Sequence, residues 1–480
     1  MPGRMQFDFQ LPRSDAAPPR RPDRPLRLLL LGDFSGRPAA ERPALATRPT
    51  VRVDADTLDD AMRRLQPRLS LPFGTVAPQQ LDDLHPDRLW QQLDGFQALR
   101  QLRQRLLDPA RFAQAAAELG AAAGSPSGPG SAPAAAGGDL LAGLLGGRPA
   151  AVTATTPRPA TGIDAFVRAI VAPHVVSDIA PQQATLLAAV DAATAAEMRA
   201  LLHHPAWQAM EARWRGVQWL VSGLELDEQL QLHLFDVGRD ELLADIVGAQ
   251  GQLAQTGLHR ALADRWRNQP GGEGWSLIAG LLQFGGSDID IGMLAALGLV
   301  ASRAGGPFVA AGDPALAAGD AAAQAGWQAL RASEAAPWIG LAAPRLLLRQ
   351  PYGKGSDPLE SFDFEEFAGS PDHEQFLWGP SSLAVAMLIG RAFSARGWDF
   401  EPGDEREIGD LPAYTVRRDG EAELQACAEH YLGEQGGLAL LNAGLMPVLS
   451  HRHRNAVTVM RLQSIAEPAQ SLAGLGAGQS

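Results

Sequence analysis

Between Leu201 and Val221 the chain reads LLHHPAWQAMEARWRGVQWLV, and no other stretch limits the fold as much. Its large apolar residues fall at Trp207, Met210, Trp214, Val217 and Val221. That three-and-four spacing lines one side of an α-helix. Pro205 suits the first helical turn, where a missing N–H costs nothing. Glu211 and Arg215 stand four apart on the opposite side, which the periodicity assigns to water. Trp219 lies off the stripe. Three tryptophans in one helix exceed what a small domain needs, so the stripe is expected to be the core of a large α/β body.

Composition narrows the class. At 480 residues the chain can bury a large core and has room for roughly two to four domains. It is 46% hydrophobic and 20% charged, as soluble globular proteins are. A net charge of −13 argues against nucleic acid or an anionic membrane surface as partner. The single cysteine, Cys427, excludes an internal disulfide framework and a Cys-rich zinc site, and fits a reducing cytoplasm. The opening MPGRMQFDFQLPRSDAAPPRRP has no apolar signal core. No run approaches the roughly 20 apolar residues of a membrane span, so no membrane insertion is expected.

Five pieces follow one another. Residues 1–24 read as a disordered tail. Residues 25–120 read as a small α/β domain, and 121–161 as a flexible linker of Ala, Gly, Ser and Pro that cannot bury enough surface to fold. Residues 162–466 read as a larger mixed α/β body, and 467–480 as a disordered tail. One apolar island, DLLAGLL, interrupts the linker from Asp139 to Leu145. Leu140, Leu141, Leu144 and Leu145 would form one face of a transient helix.

Within the first domain, Arg27–Leu31 has the length of a buried strand and ends in the turn GDFSGR. Val51 and Val53 alternate with polar residues as a second strand would. Leu58, Met62 and Leu65 mark a short helix. Asp87–Leu107, with Leu89, Leu93, Phe96, Leu99, Leu102 and Leu106 at helical spacing, predicts one longer helix. The GDFSG turn has the glycines of an anion cradle, but neither the spacing nor the lysine of a phosphate loop.

The helix wording HHPAWQAMEARWRGVQWLV resembles that of the large subunit of type VI secretion contractile sheaths (TssC, or VipB). Further matches follow in order: the strand at Leu230–Val237, GRDELLADI, GGEGWSLIAG, SDIDIGMLAALGLVASRAGGPFVAA, WQALRASEAAPWIGLAAPRLLLRQPYG, FDFEEF, FLWGPSSLAVAMLIGRAFSARGW and GGLALLNAGLMPVLS. The strand ending in GDFSG and the unit RPTVRVDADTLDDAMRRLQPRLSL resemble the small sheath subunit (TssB, or VipA). The chain departs from the large subunits where they carry a GDY-type motif; here stand Gly280, Leu281 and Leu282. It also ends about 30 residues past the GLMPV region, where those subunits continue.

The resemblance implies a natural fusion of both subunits and a mechanical function. Subunits stack into a contractile tube, energy resides in the interfaces, and neither enzyme activity nor cofactor is needed. Its partners would be further copies or other sheath subunits, an inner-tube protein, a baseplate and a ClpV-type unfoldase, for which the Leu140–Leu145 island would be a handle. Two other readings stay open: a capping, nucleating or regulatory relative that forms no full tube, and an enzyme or small-molecule binder on a sheath scaffold.

No residue set predicts catalysis. His203 and His204 are adjacent and diverge by about 100° on a helix, so with Pro205 they read as a helix start and not as a metal pair. His451 and His453 alternate and would share a face in a strand, with no acid spaced to complete a site. Glu365 and Glu366 in FDFEEF are expected to be solvated. Cys427, in QACAEHYL, reads as a small buried residue of a helix.

Overall fold

The computed structural model describes residues 24–123, 179–269, 272–318, 321–369, 371–418 and 421–475. LRLLLLG forms strand β1 (Leu26–Gly32). Leu26, Leu28 and Leu30 point into one hydrophobic core, and Leu29 and Leu31 into a second. A strand apolar on both faces belongs inside a parallel sheet. β1 pairs in parallel with β5 (Leu230–Asp236), from Leu26 opposite Leu230 to Gly32 opposite Asp236. On its other side it pairs in parallel with β6 (Leu277–Phe284), Leu28 opposite Leu277.

The sheet is completed by β2 (Val51–Val53), β7 (Phe308–Gly312), β8 (Ile339–Ala343), β11 (Glu407–Ile408), β14 (Met446–Ser450) and β15 (Val457–Val459). Its nine strands run in the order β11-β15-β14-β8-β7-β6-β1-β5-β2. Small antiparallel pairs form from β3 (Leu69–Leu71) with β4 (Gly74–Val76), β9 (Leu346–Leu347) with β10 (Trp378–Gly379), and β12 (Thr415–Arg418) with β13 (Glu421–Leu424). β2 runs antiparallel to β5, so β5 of the larger body lies between two strands of the first segment. The two segments therefore interleave in one sheet.

Helices cover both faces. The first core takes α1 (Leu58–Leu65), α2 (Pro86–Gln92), α3 (Gln97–Leu107), α4 (Phe112–Ala123), α5 (Ile179–Leu202) and α6 (Pro205–Gly223). On the opposite face lie α7 (Arg239–Gly248), the single turn α8 (Gly257–His259), α9 (Asp288–Ala304) and α10 (Ala321–Arg331). The first core also takes α11 (Ser382–Arg396), and the second α12 (Glu434–Asn442). The outcome is the expected mixed α/β class, as three layers.

Several local expectations need correction. The helix expected over Asp87–Leu107 is broken at Asp94–Phe96. Gly95 donates its N–H to the Phe73 carbonyl at 3.0 Å, and a Cβ there would sit 2.5 Å from that oxygen. The break turns Leu93 and Phe96 into the core, while Arg100 adds a bond at 3.0 Å to the Leu93 carbonyl, which also accepts from Phe96 N–H. The tail expected to be disordered from 467 is packed through Leu475, because Leu472 and Leu475 find buried sites and Ala473 N–H bonds the Pro337 carbonyl. α4 continues to Ala123, past the expected start of the linker. QACAEHYL is not helical: Leu347 N–H bonds the Cys427 carbonyl, and Ala428 bridges Leu346. In SHRHRN, Ser450 ends β14 and residues 451–455 form the turn to β15 and not a strand. The rest of the expected linker, with Leu140, Leu141, Leu144 and Leu145, lies outside the described residues, as does the N-terminal tail to residue 23.

Candidate functional site

α6 begins as the HHP wording suggests. His204 is the N-cap, its Nδ1 accepting from Ala206 N–H at 3.3 Å, and Pro205 occupies the first turn. Trp207, Met210, Trp214, Val217 and Val221 are all buried. Ala212, Gly216 and Leu220 are buried too, so the helix is enclosed on nearly every side. At Gly216 a Cβ would meet Leu383 of α11 at 2.6 Å, and the absent side chain lets the two helices close.

One side of α6 grips the first segment. Trp214 Nε1 donates to the Phe34 carbonyl at 3.1 Å, and the two rings meet edge to face with centroids 5.6 Å apart. Arg213 donates to the Asp33 carbonyl at 3.0 Å. The turn's own amides face a carboxylate: Asp236 Oδ1 accepts from Phe34 N–H at 2.8 Å and Ser35 N–H at 2.9 Å. These donors satisfy the end of β5 and leave no phosphate cradle. Arg42 pairs with Asp33 and with Glu241 at 3.4 Å, and Arg48 pairs with Glu241 at 2.6 Å. Both arginines are nearly buried and belong to the first segment, whereas Glu241 belongs to the body.

The opposite side was expected to be wet, and it is not. Glu211 is fully buried and Glu366 nearly so. Arg349 joins them, with Nε 2.8 Å from Glu211 Oε1 and its two terminal nitrogens 2.7 and 3.0 Å from the Glu366 oxygens. Arg215 donates to Glu211 at 2.7 Å and to the Tyr352 hydroxyl at 2.6 Å. Tyr352 N–H donates to Glu366 at 2.8 Å, and the Arg349 guanidinium lies 4.3 Å from the Tyr352 ring centre. Two carboxylates thus meet two guanidiniums, and the buried charge closes to zero. Burial alone would raise the Glu366 carboxyl, but Arg349 and His203 outweigh it and hold it at about 2. Burial pushes the Tyr352 phenol up to about 12. The network ties α6 to the loop after β9 and to FDFEEF.

Sequence reasoning missed Glu211, Arg349 and Glu366 because periodicity places a charge on the polar side whenever the apolar side is complete. No local signal marks them, since Gly216 reports the approach of Leu383 and not of Arg349.

A cleft of about 440 Å³ opens at the start of α6, lined among others by His203, Arg213, Leu281, Arg345, Glu374 and Trp378. His203 Nε2 lies 3.6 Å from Glu366 there. His451 bonds Thr458 at 2.9 Å with Glu407 at 3.7 Å, and no third donor joins His451 and His453 among the described residues. Cys427 is buried, and burial raises its thiol to about 11, so it is no activated nucleophile. No helix among the described residues is long and apolar enough to cross a membrane.

Comparison with known proteins places both parts of this joint. The family described as EvpB/VC_A0108, tail sheath N-terminal domain (VipB), matches residues 184–466. The family described as type VI secretion system, VipA, VC_A0107 or Hcp2, matches residues 2–74. The type VI secretion system sheath protein TssC1 of Pseudomonas aeruginosa is 28% identical over 309 residues, which are 60% of this chain and 62% of that protein. The chain thus spans less than two thirds of that relative's length. β1 and β2 fall in the VipA match, and β5 and α6 in the VipB match. With the VipB match covering more than half its length and a VipA segment woven into the same sheet, the chain belongs to the type VI tail-sheath family.

Proposed function

We propose that the chain is a structural subunit of a type VI contractile sheath, or of a sheath-like assembly, in which both sheath parts are built as one body. The observation that carries this reading is the placement of β5 between β1 and β2, with Arg213 and Trp214 bonded to the carbonyls of Asp33 and Phe34 in the turn of the other part. A shared sheet makes the two parts one mechanical element. A covalent link raises their effective concentration to roughly millimolar and fixes their ratio at one to one.

The reading assigns no catalysis, and work is done by interfaces between subunits. Its partners are further copies or other sheath subunits, then an inner-tube protein, a baseplate and a ClpV-type unfoldase, all met in the cytoplasm. Negative-stain electron microscopy of the purified full chain tests it. Tubes, or short rings and caps, are expected, and the choice between them separates a sheath subunit from a nucleator. Dispersed particles at every concentration and salt would sink the assembly reading.

A further inference from the structure

We propose that His373, Glu429 and His430 form a binding site for a divalent transition-metal ion, with zinc the ion that this donor set suits best. Two neutral imidazoles and a carboxylate are a ligand set zinc accepts readily, with a fourth position left to water. The three residues lie in two separate segments that the fold brings together. His373 opens the short turn His373–Gln375, fixed by a capping box from Asp372. Glu429 is anchored through its backbone, its N–H donating to the Arg345 carbonyl at 2.8 Å.

The geometry is close to what coordination needs. His373 Nε2 lies 3.1 Å from Glu429 Oε1, and His430 Nε2 lies 3.8 Å from the same oxygen. All three donor atoms lie within 4.8 Å of one another. Donors around a tetrahedral zinc ion at about 2.0 Å stand about 3.3 Å apart, so the His373–Glu429 edge already fits and the 3.8 Å edge from His430 to Glu429 has to contract. The two imidazole rings are parallel within 7°, with centroids 5.1 Å apart. Two imidazoles bound through Nε2 to one tetrahedral ion have centroids about 5 Å apart, but each must hold the ion in its own plane, so the His430 ring has to turn out of the stack on binding.

Exposure is distributed usefully as well. The His430 side chain is 53% exposed and that of His373 36%, whereas Glu429 is 8% exposed. The carboxylate is the fixed ligand, and the imidazoles can turn to meet an ion. Arg345 grips both Glu429 oxygens, Nε to Oε2 at 2.8 Å and a terminal nitrogen to Oε1, so an ion would share Oε1 with that guanidinium or displace it there. Those bonds orient the ligand, as outer partners of metal ligands commonly do. The Arg345 charge opposes the cation, and Glu374, 3.5 Å from Arg345, offsets it. With neutral imidazoles, the group of five side chains carries one net negative charge.

A bound ion would tie the turn before β10 to the segment after β13. Arg345, Glu374, Phe376 and Trp378 around this tie also line the cleft, so the ion would brace its rim. Zinc ion alone, titrated into the metal-free full chain by calorimetry, tests the proposal, with the visible band of cobalt as a second readout. One equivalent is expected to bind and to raise the melting temperature. His373→Asn and His430→Asn should each weaken binding by roughly 100-fold. His430→Asn removes a largely exposed ring, so it leaves the fold in place and keeps the test decisive. Glu429→Gln should weaken binding similarly. No stoichiometric binding would overturn the proposal. So would binding that survives the double histidine variant, or that is lost instead in His451→Asn.

Discussion

Trp214 Nε1 reaches across 180 residues of sequence to donate to the Phe34 carbonyl at 3.1 Å. That bond joins the helix of the VipB match to the turn of the VipA match, where Phe34 also packs edge to face on the indole. The indole is fully buried, so its ring fills volume that no other group can reach.

Replacing that ring should therefore be costly. Trp214→Ala is expected to destabilise the chain by about 3–5 kcal/mol through lost burial and a cavity. Trp214→Phe keeps most of the ring but strands the Phe34 carbonyl, and should cost about 1–3 kcal/mol. Urea unfolding followed by circular dichroism measures both. A midpoint unchanged in Trp214→Ala would mean that the stripe holds nothing together.

Arg349 is the centre of the buried charge network. Arg349→Met leaves Glu211 and Glu366 buried without their shared guanidinium, and should cost about 3–5 kcal/mol. Adding Glu366→Gln removes one stranded charge and should recover part of the loss. If the double variant is as unstable as the sum of the singles, the carboxylates are not coupled through Arg349.

Acid should loosen the same network. The folded state lowers the Glu366 carboxyl from an ordinary 4.5 to about 2. The stability it contributes is present in full above about pH 4.5 and is lost as pH falls toward 2. In an acid titration of stability, wild type should lose ground through that window faster than Glu366→Gln. Parallel curves would mean that Glu366 carries no such linkage.

Interleaved strands predict the fate of a cut chain. A specific protease site placed beside Gly128 should yield two fragments that elute together on a sizing column, because β5 is hydrogen-bonded on both sides to strands of the other fragment. Their separation without denaturant would contradict the shared sheet.

The island at Asp139–Leu145 is tested apart from the fold. If Leu140, Leu141, Leu144 and Leu145 are the handle for a ClpV-type unfoldase, its N-terminal domain should capture wild type and lose Leu141→Asp/Leu144→Asp. Equal capture would leave the island as linker.

Much of the fold was legible because local pattern and burial agree in it. The Trp207–Val221 stripe, β1, β2, β5 and the His204–Pro205 helix start are set by residues next to one another in sequence. The larger misreadings involve a distant partner. Asp87–Leu107 has an unbroken helical period, and only the Phe73 carbonyl against Gly95 interrupts it. Glu211 and Glu366 look solvated until Arg349 arrives from another loop. Leu472 and Leu475, in a stretch of small residues, look unstructured until the groove beside Pro337 receives them. The position of β1 inside the body's sheet was equally hidden, since a strand's period does not name its neighbours.

The central seat of β1 also dictates an order of events during synthesis. β1 leaves the ribosome well before its neighbours, since Leu230 and Leu277, which flank it, are made more than 200 residues later. Until then its four consecutive leucines present two open edges, the kind of segment that recruits foreign strands. In two separate chains the wait would end by diffusion and would lengthen as expression falls. On one chain it ends when translation does, and the time to a closed sheet no longer depends on how many copies the cell makes.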